Sequence, residues 1–124
     1  MTIANLSVIG SVPVGVFVNT NDTMYLLNTA NDTVVVWPAA SAVATLSFTR
    51  NLSGPLSIFV DENGDVYVPT GRNSYRVDRW RASSSTGETV LITNSDCYGL
   101  FVDVNETLYC SQKNTNMVIK TPLN

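Results

Sequence analysis

Three oxygen-bearing side chains, Asn19, Asp61 and Asp103, stand 42 residues apart, each directly after a Phe-Val pair. A circle of carboxylates would suit a calcium ion, which takes hard oxygen ligands. An Asp or Asn at a strand end more often closes a turn by accepting hydrogen bonds from backbone amides. The three are therefore weak candidates for binding, and no metal site is assigned. Histidine is absent from all 124 residues, which removes the usual general base, the usual imidazole metal ligand and every Ser-His or Cys-His nucleophile pair. No nucleophile, base and orienting group can be assembled from what remains. No residue is given a catalytic role, no cofactor is implied, and the chain reads as a non-enzyme.

Other groups point less sharply. Arg72, Arg76, Arg79 and Arg81 cluster, with Asp78 among them; a solvated blade edge is a simpler reading than an anion site. With Lys+Arg 7 against Asp+Glu 10 the net charge is −3, the opposite of the basic footprint that phosphate backbones select, so nucleic acid is not an expected partner. Trp37 and Trp80, and Tyr25, Tyr67 and Tyr109, could stack on sugars, although repeated aromatics are core by default. Cys97 and Cys110 can make one bridge or remain two buried thiols. Asn-x-Ser/Thr triplets begin at Asn5, Asn21, Asn31, Asn51 and Asn105, each an N-glycosylation signal. With the cysteines they point to an extracellular or secreted parent protein, although Met1 to Asn5 lacks a signal-peptide pattern. No apolar run reaches the about 18 residues that a membrane span needs.

What positions these groups is a repeat. Gly15-Val-Phe-Val-Asn-Thr-Asn-Asp-Thr-Met-Tyr-Leu26, Ser57-Ile-Phe-Val-Asp-Glu-Asn-Gly-Asp-Val-Tyr-Val68 and Gly99-Leu-Phe-Val-Asp-Val-Asn-Glu-Thr-Leu-Tyr-Cys110 align, and both Phe17/Phe59/Phe101 and Tyr25/Tyr67/Tyr109 are spaced by 42. Each unit predicts a hairpin around a polar turn. Asn63-Gly64 supplies residues that accept positive φ, and Asn21-Asp22 and Asn105-Glu106 take their place in the other units. A third strand is predicted at Thr33–Trp37, Tyr75–Trp80 and Met117–Lys120, and a fourth at Ala44–Thr49 and Thr89–Thr93. The last unit lacks its fourth strand; Ile3–Ile9 offers one at the other end of the chain. Runs such as Val34 to Trp37 are continuously apolar, as in strands buried on both faces. No convincing helix is present, and residues 83–87 read as an exposed loop. Four antiparallel strands per unit of this length are a β-propeller blade.

The pattern Gly-(Ile/Val/Leu)-Phe-Val-Asp, a polar turn, then Leu-Tyr-(Val/Cys) is fullest at Ile58 to Val68, with Asn73 and Val77 following. It resembles NHL-repeat β-propellers over nearly the whole chain. The resemblance implies a scaffold used for protein, RNA and carbohydrate contacts, and for one peptide-amidating lyase whose zinc is held mainly by histidines; that activity is not expected of a chain with none. The expected fold is all-β, with an outer strand in residues 1–13 and blades at 14–54, 55–96 and 97–124. Propellers close with typically 4 to 8 blades, and three would leave two apolar blade faces wet, a loss of about 10 to 20 kcal/mol at roughly 25 cal/mol per Å². A homodimeric six-bladed ring, joined head to tail, avoids this, each chain's residues 1–13 completing its partner's last blade. The expected function is a non-enzymatic scaffold that binds itself and a protein or glycan ligand. A lectin-like sugar binder is the alternative, a fragment of a longer secreted repeat protein without independent function the third, and a hydrolase or lyase stands behind these.

Overall fold

A computed structural model of the chain describes residues 12–29, 32–39, 46–49, 57–70, 75–82, 84 and 86–124. The expected strand Ile3–Ile9 lies outside them. Three antiparallel sheets follow one another along the sequence. The first runs β1 (Pro13–Val18), β2 (Met24–Asn28), β3 (Thr33–Trp37) and β4 (Leu46–Thr49) in spatial order, and the second β5 (Phe59–Val60), β6 (Val66–Thr70), β7 (Arg76–Trp80) and β8 (Gly87–Ile92). The third has β9 (Gly99–Val102), β10 (Thr107–Gln112) and β11 (Met117–Pro122). The all-β blade architecture expected from the repeat is what the chain adopts.

The two aromatic series turn out to be cross-strand partners: Phe17 faces Tyr25, Phe59 faces Tyr67 and Phe101 faces Tyr109. Paired aromatics of this kind fix hairpin register. The turn geometry repeats as well. Asp22, Gly64 and Glu106 occupy the same place in the three hairpins with φ of 58°, 84° and 57°, and each donates its amide to the carbonyl of Asn19, Asp61 or Asp103. Several strand limits differ from expectation: β11 runs on to Pro122 and β8 ends at Ile92. Tyr75 takes φ of 43° and stays outside β7. β8 starts at Gly87 rather than Thr89, opposite Trp80, with a bulge between Val77 and Asp78 absorbing the register change. A 3-10 turn at Lys113–Thr115 leads into β11.

The sheets stack face to face, and the side chains of each strand alternate between two interfaces. Phe17, Tyr25, Leu27 and Val34 of the first sheet press on Ile58, Val60, Val68 and Trp80 of the second. Tyr67 and Val77, from the opposite face of the second sheet, pack with Val102, Leu108 and the cysteines of the third. β6 lies between the two interfaces and is covered on both faces, and β2 and β3 are buried along nearly their whole length, which is why their sequences are apolar without alternation. Cys97 and Cys110 are joined in a disulfide within that second interface, their Cα atoms 5.4 Å apart. Glycine at position 15 eases the close approach of sheets one and two, since a Cβ there would stand 3.2 Å from the Ile58 side chain. Among the described residues no helix is long and apolar enough to cross a membrane.

Candidate functional site

The first strands β1, β5 and β9 come together side by side, with Phe17 and Phe59 ring centroids 5.5 Å apart and Phe59 and Phe101 5.0 Å apart. The turns that follow these strands form one rim. Along it Asn19, Asp61 and Asp103 repeat a single hydrogen-bond arrangement. Asn19 Oδ1 accepts from the amides of Asn21 and Thr23 at 3.0 and 2.9 Å. Asp61 Oδ1 accepts from Asn63 and Asp65 at 2.9 and 3.0 Å, and Asp103 Oδ1 from Asn105 and Thr107, both at 2.9 Å. The second carboxylate oxygen takes a tyrosine proton: Tyr67 Oη donates to Asp61 at 3.2 Å and Tyr109 Oη to Asp103 at 3.0 Å. Each of the three sequence candidates thus closes its own turn.

These bonds shift proton affinities. The Thr107 amide, followed by the Tyr109 hydroxyl and the Asn105 amide, holds the Asp103 carboxyl below its ordinary value against partial burial. The Tyr109 hydroxyl is raised, chiefly because it donates to Asp103. Burial raises Tyr67 and Tyr25.

Above the phenylalanines lies a cleft of about 600 Å³, floored by Phe17, Phe59 and Phe101 and rimmed by Asp61, Glu62, Asp103 and Glu106. A second cleft of about 450 Å³ adjoins it, sharing Phe17, Asp61 and Glu62 and adding Asn19 and Asn21. The combination is an aromatic floor under an anionic edge. Such a surface holds apolar groups by burial and cationic ones through ring faces and carboxylates. Glu62 lines both clefts, and among the described residues no hydrogen bond or ion pair engages its side chain. Sequence reasoning passed over Glu62, Glu106 and the phenylalanine floor. The 42-residue Phe spacing was the available signal, but it was read only as a fold marker. No group of three or more His, Cys, Asp or Glu able to hold a metal occurs among the described residues.

The other sequence candidates fall elsewhere. Arg76 Nε donates to both oxygens of buried Asp78 at 2.9 and 3.1 Å, and Thr89 donates to the same carboxylate. Arg79 Nη2 meets Glu88 at 2.6 Å and Arg81 reaches Asp65 at 3.3 Å. Burial opposes the charge on Arg79, but Glu88 and the Tyr67 hydroxyl outweigh it and raise its proton affinity. The described arginines are therefore tied to carboxylates, and Arg72 lies outside the described residues. Trp80, Tyr67 and Tyr25 are core. Of the glycosylation triplets, Asn21 and Asn105 sit exposed at turn tips on the rim, and Asn5, Asn31 and Asn51 lie outside the described residues.

No protein family matches the chain, and no curated protein sequence does. Solved structures do match. A selenomethionine-substituted virginiamycin B lyase from Staphylococcus aureus superposes with a TM-score of 0.69 at 10% identity over 90% of this chain and 41% of that one. A catalytically inactive histidine-to-alanine variant of virginiamycin B lyase from the same organism, with quinupristin, gives 0.74 at 12% identity over 96% of this chain and 44% of that one. A streptogramin B lyase gives 0.71 at 14% identity over 95% and 43%. The likeness establishes the β-propeller fold, and the chain spans about two fifths of the length of each of these structures. It also corrects the expected function. The non-enzymatic scaffold rested on the missing histidine and the missing triad, whereas the structures this chain resembles are lyases. Propeller sites draw side chains from several blades, so the composition of three blades does not exclude chemistry in a ring.

Proposed function

We propose that these three blades form the substrate-holding wall of a β-propeller lyase that acts on a small organic molecule in the cleft over Phe17, Phe59 and Phe101. A lyase breaks a bond by elimination, so the step needs a base beside a carbon-bound proton and a surface that fixes the substrate. The phenylalanine floor is that surface. Glu62, facing both clefts with its carboxylate unengaged, is the base: it takes the proton while the leaving group departs with the bonding electrons. Asp61 holds the turn that presents it. The aromatic floor under an acidic rim, in a fold shared with solved lyases, carries this reading. A histidine-to-alanine change leaves one of those lyases inactive; this chain has no histidine, so the base assigned to it is a carboxylate.

The repeat pattern supports placing the blades with the NHL type, and the disulfide with the exposed Asn21 and Asn105 triplets supports an extracellular setting. The test uses quinupristin as probe. Titration should shift the ring resonances of Phe17, Phe59 and Phe101, and chromatography should show its slow conversion; Glu62→Gln should retain the shifts and lose conversion. Unmoved ring resonances, or conversion unchanged in Glu62→Gln, would overturn the assignment.

A further inference from the structure

Asn21, Asn63 and Asn105 stand 42 residues apart, one in the first turn of each blade, and all three are exposed. The turn uses their backbone: each amide donates to Oδ1 of the residue two places before it, Asn19, Asp61 or Asp103. None of the three has a positive φ. The left-handed position, which favours Gly or Asn, falls one residue later, at Asp22, Gly64 and Glu106. Among the described residues no hydrogen bond engages the side chain of Asn21 or Asn105. Closing the turn thus leaves two carboxamides in solvent with no structural duty. What separates the three turns is the residue two places further on. Thr23 and Thr107 complete an Asn-x-Thr triplet in the first and third blades, whereas Asp65 breaks it in the second. Asp65 is buried and accepts from the Ala82 amide at 2.8 Å and from Arg81 at 3.3 Å, so that position of the second blade is committed to holding the chain beyond β7.

We infer that Asn21 and Asn105 carry N-linked glycans and that Asn63 does not. The inference rests on the extracellular setting proposed above, which the bridge between Cys97 and Cys110 also supports. The donor is an oligosaccharide joined through its anomeric carbon to a lipid diphosphate. The asparagine side-chain nitrogen bonds to that carbon and gives up one proton. The bond from the carbon to the diphosphate oxygen breaks, and the lipid diphosphate departs with the bonding electrons. The folded chain accommodates the product because each side chain is exposed in a turn and loses no hydrogen bond. Asn21 lines the second cleft, and Asn105 lies between Val104 and Glu106, which line the first. Glycans there flank the turn that carries Glu62 and leave that middle turn bare.

The full chain, carried through a eukaryotic secretory pathway behind a cleavable signal, is read by intact mass and peptide mapping in secreted and retained protein alike. Digestion with peptide N-glycosidase should leave aspartate at positions 21 and 105 and asparagine at position 63. The map reads these sites apart from the triplets at Asn5, Asn31 and Asn51, which lie outside the described residues. Asn21→Gln and Asn105→Gln should each lose one glycan. Thr107→Ser should keep the glycan at Asn105 and Thr107→Ala should lose it. Circular dichroism should match before and after digestion. Asparagine remaining at position 21 or 105, aspartate at position 63, or a glycosylated chain without the fold would each overturn the inference. A secreted, bridged chain bearing neither glycan would remove this inference and leave the extracellular setting standing. Free Cys97 and Cys110 in a secreted chain glycosylated at both sites would support the glycans and count against the setting.

Discussion

At the scale of single residues, two rim carboxylates, Asp61 and Asp103, each serve three donors. Asp103 shows the cost of protonating one. Its carboxyl lies below the ordinary aspartate value of 3.8 in the folded chain, so its contribution is present above the unfolded value and is lost as pH falls toward the folded one. Urea midpoints measured as pH falls through that window should drop for the wild type and drop less for Asp103→Asn, which starts lower and has no proton to gain. Glu106 carries a different burden. It holds the left-handed φ of 57° that Gly64 meets without a Cβ, a conformation that costs an ordinary residue about 1–2 kcal/mol. Glu106→Gly should therefore stabilise the fold by about 1 kcal/mol in denaturant unfolding, while removing one carboxylate from the cleft rim. The turn roles of Asp61 and Asp103 were legible in the sequence because strand-end Asp bonds to amides two and four residues on. The free carboxylate of Glu62 was not, since nothing local distinguishes an unengaged glutamate from a solvated one.

At the scale of elements, each blade depends on its innermost hairpin and on how it meets its neighbour. The disulfide pins the segment before β9 to β10 across 13 residues of sequence. Closing a loop of that size restricts the unfolded chain, so reduction, or replacement of both cysteines by alanine, should cost about 3 kcal/mol of unfolding free energy. Equal denaturant midpoints with and without reductant would contradict this. In the second blade Gly87 pairs with Trp80, and a Cβ there would lie 2.7 Å from the buried indole. Gly87→Ala should destabilise by about 1–3 kcal/mol through overpacking, with Trp80 fluorescence reporting the disturbance. The hairpins were legible from the Phe and Tyr spacing, because residues directly opposite across a short turn keep the same offset in every copy. The start of β8 was not, since it follows from the register with β7 across the bulge between Val77 and Asp78, which pairing with another strand sets.

At the scale of the whole molecule, three stacked sheets bury their shared faces, while Val16 and Val18 in the first and Phe101 and Val118 in the third stay exposed. Any association that covers those residues would act by mass action, and calorimetry would then read a thermal midpoint that rises with protein concentration across a hundredfold range.

Periodicity and turn chemistry are properties of contiguous residues, and from them the chain alone determined an all-β fold of repeated blades with Asn19, Asp61 and Asp103 at its turns. Whether Cys97 and Cys110 join, which carboxylate each arginine meets and which side chains share a cleft depended on residues brought together from separate turns and strands. Phe17, Phe59 and Phe101 become one floor only because three sheets stack with their first strands side by side. Composition had argued against chemistry by counting absent histidines; the tertiary structure reopened it, because a site is made by the convergence of side chains from different blades and not by their frequency in any one of them.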